Sequence, residues 1–152
     1  MKTYIAALAA MAGLASAENA VVKNSCSSNI YVQSFPYNGG EAGPLTTLKP
    51  GEAFSEKFVS SGSTVKIAKL KTLDKPLFFG YSFSSDPNYA YYEFSTEYGN
   101  PFASSHNVLS PGDGCEVFDC KANDAACYST PGHKKVYGCP QPVDLVAEIC
   151  KQ

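Results

Sequence analysis

The chain contains no arginine; its basic residues are twelve lysines and two histidines. Nucleic-acid and phosphate recognition usually rests on arginine forks and clustered positive charge. With a formal charge of −2, this sequence offers neither. No run of eighteen apolar residues occurs, so no membrane-spanning helix is expected in the mature form. The N-x-[ST] sequon is missing, and Asn24-Ser25-Cys26 is only its rare cysteine variant, so N-glycosylation is not expected. The G-x-S-x-G elbow of serine hydrolases is absent too. No helix-length amphipathic pattern, internal repeat or low-complexity linker appears after residue 17. The missing arginine and the small negative charge argue against nucleic-acid or phosphate recognition.

The first seventeen residues read as a leader. Met1-Lys2-Thr3-Tyr4 is a short basic start, Ile5 to Leu14 is apolar and alanine-rich, and Ala15-Ser16-Ala17 places small residues where a signal peptidase reads. Cleavage after Ala17 is expected, leaving one domain over residues 18–152. Removing Lys2 takes the formal charge from −2 to −3. The apolar stretch is too short for an anchoring span.

All six cysteines lie beyond that leader. Five fall in Cys115-x4-Cys120-x6-Cys127-x11-Cys139-Pro140-x9-Cys150, and the sixth, Cys26, stands far upstream. In an oxidising compartment three disulfides are the expectation. Spacing alone permits fifteen connectivities, although the lone Cys26 is most naturally a clasp between the two ends. The gap of six residues between Cys120 and Cys127 is not zinc-ribbon spacing, and His106 and His133 make no ligand pair. Neither metal nor cofactor is expected.

The body reads as short strands between turns. Asn29 to Phe35 alternates, with Ile30 and Val32 on one face and Tyr31 on the other. Pro36-Tyr37-Asn38-Gly39-Gly40 is a turn. Short strands follow over 45–48, 53–60 and 65–71, with a bulge expected near Ala68 because Lys66, Lys69 and Lys71 do not keep one parity. Leu77 to Ser84 puts Leu77, Phe79, Tyr81 and Phe83 on one face, and Tyr89 to Ser95 puts Ala90, Tyr92 and Phe94 inward. The turn Asp86-Pro87-Asn88 joins these two as a hairpin. Val143, Leu145, Ala147 and Ile149 alternate near the end, and Lys121 to Tyr128 is the one stretch of helical composition. Many short strands at near-regular spacing imply an all-β sandwich or barrel.

Several ordered pieces carry a family likeness: Asn24-Ser25-Cys26 before Ile30-Tyr31-Val32, then Phe79-Gly80-Tyr81-Ser82, Tyr92-Glu93-Phe94-Ser95, Gly99-Asn100-Pro101-Phe102 and the cysteine tail. Taken together they resemble the small fungal thaumatin-like proteins, above all the Blastomyces yeast-phase-specific protein family. The resemblance implies a small thaumatin-like β-sandwich of short antiparallel strands, with at most one short helix near 121–128. It further implies the pairs Cys26–Cys150, Cys115–Cys139 and Cys120–Cys127.

Larger thaumatin-like proteins carry an acidic cleft linked to β-glucan binding or weak glucanase activity, and glycosidases need two carboxyls roughly 5–9.5 Å apart. At the matching positions this chain has Gly80-Tyr81 and Pro131-Gly132-His133, leaving Glu93 as the one cleft acid. The other carboxylates, Glu97, Asp113, Glu116 and Asp119, read as solvated charges. Tyr89 and Tyr91 lie on the parity opposite to Tyr92 and Phe94. Together with Glu93 they are the candidate ligand-binding residues, and the Tyr37 turn is a weaker one.

The implied role is a non-enzymatic binding protein: antigen, adhesin or effector-like, and monomeric. Its partner would be cell-wall polysaccharide or a host extracellular protein. A weak β-glucan-degrading enzyme is the alternative, and a membrane-active toxin is a third class. An acidic chain without an amphipathic helix fits that third class poorly.

Overall fold

The computed structural model describes residues 18–112 and 114–152. The leader expected over residues 1–17 and the carboxylate of Asp113 lie outside them. Among the described residues eleven strands form two sheets. Sheet one runs β4 (Ala53–Lys57), β1 (Asn19–Asn24), β11 (Leu145–Ile149), β8 (Asn107–Ser110), β9 (Phe118–Cys120). Sheet two runs β10 (Tyr137–Pro140), β7 (Asn88–Ser95), β6 (Leu77–Ser85), β5 (Ser63–Ala68), β2 (Ile30–Pro36), β3 (Thr46–Leu48). The fold is the expected all-β sandwich, and among the described residues its one helical element is a 3₁₀ turn at Ala125–Cys127.

Alternation decides which side chains are buried. Ala20 and Val22 of β1, Leu145, Ala147 and Ile149 of β11, Leu109 and Phe118 project from sheet one. They meet Val32, Ile67, Phe79, Tyr81, Tyr92 and Phe94 from sheet two, and every one of these residues is buried. Aromatic edges fill this layer: Phe118 packs T-shaped against Tyr92 and Phe94, at 6.4 and 6.3 Å between ring centroids. Glu56 on β4 ties the sheets together with polar bonds. Its Oε1 accepts from Ser34 Oγ on β2 at 2.7 Å and from the Tyr81 hydroxyl on β6 at 3.1 Å.

One ladder departs from the antiparallel expectation. β1 and β11 pair in parallel, Ala20 opposite Leu145 through Asn24 opposite Ile149. Both strands therefore leave the sheet at the same end, and their next cysteines meet there. Cys26 and Cys150 are bonded with Cα atoms 4.8 Å apart. Cys115–Cys139 and Cys120–Cys127 complete the three implied pairs. The buried Asn107 accepts from the Cys150 backbone N–H at 3.1 Å, and this holds the clasp against β8.

The bulge expected near Ala68 is not present. β5 ends at Ala68, and Lys69 and Lys71 fall in the following bend and turn. They lose the parity of Lys66 because they have left the sheet. β1, β8, β9 and β10 are strands that the sequence pattern did not mark.

Candidate functional site

Among the described residues no strand or helix packs over the outward face of β7, β6 and β5, and glycine shapes it. Glu93 and Gly80 face each other across the β6–β7 ladder. A Cβ on Gly80 would stand 2.5 Å from the Tyr37 hydroxyl, so the missing side chain is what admits that hydroxyl. Half of Tyr37 meets solvent, but its hydroxyl is the buried end. Burial pushes this phenol above its usual range, the Thr64 side chain pulls it down, and the Glu93 charge adds to the rise.

Tyr91 precedes Glu93 by two positions on β7, so the two side chains share this face. Between Tyr37 and Tyr91 lies a depression of about 80 Å³, floored by Gly80, Ser82 and Glu93 and edged by Val136. Ser129 Oγ donates to Glu93 Oε2 at 3.0 Å. The Lys135 backbone N–H donates in turn to Ser129 Oγ at 3.1 Å, so the loop after β9 fixes the carboxylate.

Tyr89 and Tyr91 are neither core nor freely exposed; both are half-buried. Their rings lie against Gly138 of the edge strand β10, where a Cβ would meet Tyr91 at 3.0 Å and Tyr89 at 3.1 Å. The two rings sit 6.1 Å apart and tilt by 41°. They cover an edge glycine, as aromatics do on many sheets, and do not form one flat platform.

The same face carries residues that sequence reasoning missed. Phe78 points outward yet is buried, because Tyr98 packs on it at 5.4 Å. Lys66 Nζ lies 4.5 Å over the Phe35 ring and 5.2 Å from that of Tyr98. Lys134 bonds Glu97 Oε2 at 2.9 Å, and that bond, with the charge of Glu93, raises the lysine above its ordinary range. Tyr98, Lys134 and Val136 come from loops, whose packing no periodicity reports.

The remaining sequence candidates scatter. On the opposite sheet His106 Nε2 meets Asp119 Oδ1 at 2.5 Å, and Lys121 Nζ bonds Asp119 at 3.1 Å. These two partners, His106 first, hold the Asp119 carboxyl below its usual range. Glu93, by contrast, faces Gly80 and not a second carboxylate. Among the described residues no group of three or more His, Cys, Asp or Glu is placed to hold a metal ion.

The family model described as Blastomyces yeast-phase-specific protein matches residues 7–151. The chain belongs to this family. A solved structure similar to it is the protein elicitor MoHrip2 from Magnaporthe oryzae, at 58% identity and a TM-score of 0.86. That match covers 89% of this chain and 100% of the elicitor. The thaumatin-like xylanase inhibitor TLXI is a distant neighbour: 12% identity, TM-score 0.63, covering 87% of this chain and 99% of the inhibitor. At that identity it speaks for the thaumatin-like fold of this family member and for nothing further. No curated protein matches the sequence.

Proposed function

We propose that this family member is a secreted, non-enzymatic elicitor-type protein. It acts outside the cell by offering the outward face of β5–β7 to a host extracellular protein. The observation that carries the reading is the 58% identity to a protein elicitor over that elicitor's whole length. Three disulfides suit an oxidising, extracellular setting, reached by cleavage after Ala17. Glu93, Tyr89, Tyr91 and Tyr37 belong to this face. Tyrosine presents an apolar ring and a hydroxyl together, as protein-recognition surfaces favour. A protein partner suits the face better than wall polysaccharide, because the Tyr89 and Tyr91 rings tilt by 41° and lean on Gly138. The glucanase alternative lacks support where a second acid would stand, since Gly80 and the Tyr37 hydroxyl occupy that place.

The test applies purified residues 18–152, disulfides intact, to plant suspension cells and records the oxidative burst. A burst that disappears in Tyr37→Ala/Tyr91→Ala is expected, with no retention on insoluble β-glucan, chitin or cellulose. No burst from the native protein would overturn the elicitor reading. A burst unchanged in the double variant would overturn the assignment of the face. Reducing sugar released from laminarin and lost in Glu93→Gln would restore the enzyme alternative.

A further inference from the structure

The depression between Tyr37 and Tyr91 is small and carries a carboxylate. Its volume of about 80 Å³ is well below the roughly 300–1,000 Å³ of a small-molecule site. It exceeds the roughly 10–15 Å³ that a single water needs. Such a small, open hollow can take the head of one side chain.

Among the described residues the charge inside it has no salt bridge of its own; Lys134, bonded to Glu97, feels it without touching it. Glu93 Oε2 accepts from Ser129. Among the described residues nothing bonds Oε1, and Glu93 has no ion-pair partner. The neighbouring cations are engaged elsewhere: Lys134 with Glu97 at 2.9 Å, and Lys66 over Phe35 and Tyr98. Glu93, Glu97 and Lys134 together leave one negative charge. A half-buried carboxylate between two tyrosines attracts a cation by charge-assisted hydrogen bonding and through the ring quadrupoles.

We infer that this depression receives a single basic side chain, a lysine or arginine presented by the protein partner. The inference rests on the outward face being the recognition surface. The formal charge of −3 after loss of Lys2 from a chain of −2 favours approach of a basic partner.

The probe is n-butylammonium chloride, a lysine side-chain mimic, titrated into the ¹⁵N-labelled mature chain. Neutral n-butanol and sodium chloride serve as matched controls. Saturable shifts confined to Tyr37, Gly80, Ser82, Tyr91 and Glu93 are expected with the amine alone. In Glu93→Gln, whose amide oxygen can still accept from Ser129, the affinity should fall at least tenfold. Equal shifts with n-butanol, no saturable shift, or unchanged affinity in Glu93→Gln would overturn the inference. The burst assay keeps the two readings apart. A response lost in Tyr37→Ala/Tyr91→Ala but kept in Glu93→Gln, with no amine-dependent shift, removes the pocket and leaves the face. A response kept in both variants removes the face itself.

Discussion

Gly62 and Gly80 both lie under Tyr37, yet a methyl group should affect them differently. Gly62 has φ of +77°, and an added Cβ would collide with the backbone carbonyl of Tyr81, which is locked in β6. A left-handed backbone costs an L-residue about 1–2 kcal/mol, and moving a central strand adds to that. Gly80 has no such backbone constraint, and its one close obstacle is the Tyr37 hydroxyl, the far end of a side chain on a turn. Gly62→Ala should therefore lose on the order of 2–4 kcal/mol, and Gly80→Ala less than about 1 kcal/mol. Urea denaturation of the two variants decides it; equal losses would mean that Tyr37 is not the yielding partner. Glu93 was legible at this scale, since it stands alone among the expected cleft positions. The occupant of the empty place opposite was not, because Tyr37 arrives from a turn forty-three positions before Gly80 (80 − 37).

The parallel pair β1–β11 places Cys26 beside Cys150, 124 positions apart in the sequence. Cys120–Cys127 spans seven. In the chain-entropy model the long closure contributes about 5 kcal/mol and the short one about 2.4 kcal/mol. Cys26→Ala/Cys150→Ala should therefore melt well below Cys120→Ala/Cys127→Ala in calorimetry. Coincident melting curves would show that the clasp adds nothing beyond the β1–β11 ladder. Residues such as Leu77 to Ser85 and Asn88 to Ser95 run long enough for two or more periods of alternation, so the hairpin was readable. Phe118–Cys120 and Tyr137–Pro140 hold one or two periods and sit among cysteines and glycines. A pattern that short carries no period to detect. The direction of the β1–β11 pair was likewise hidden, because pairing is set by partners more than a hundred residues apart and not by either strand alone.

The two sheets close over phenols as well as hydrocarbon, which makes the whole sandwich sensitive to alkali. Tyr92 is buried, and its hydroxyl donates to the Glu116 carbonyl at 2.5 Å. Burial chiefly, with the charges of Glu116 and Tyr137, pushes its phenol up to about 12. Tyr81 is raised as well, first by burial and then by the charge of Glu56, the residue that ties the sheets. In the unfolded chain both phenols ionise near their ordinary value of about 10. A folded pKa above the unfolded one means that the native state holds protons the unfolded state has released. The stabilisation is therefore complete below pH ~10 and is lost as pH rises from ~10 through ~12. At about 1.4 kcal/mol per unit, Tyr92 alone should account for on the order of 2–3 kcal/mol of that loss. Denaturant midpoints measured from about pH 9 to about pH 12 should stay level and then drop. Tyr92→Phe, which keeps the ring and removes the titrating proton, should start from a lower midpoint and fall less steeply. An equal alkaline slope in Tyr92→Phe would place the sensitivity in Tyr81 and the Glu56 tie, since that pair is the other phenol held between the sheets.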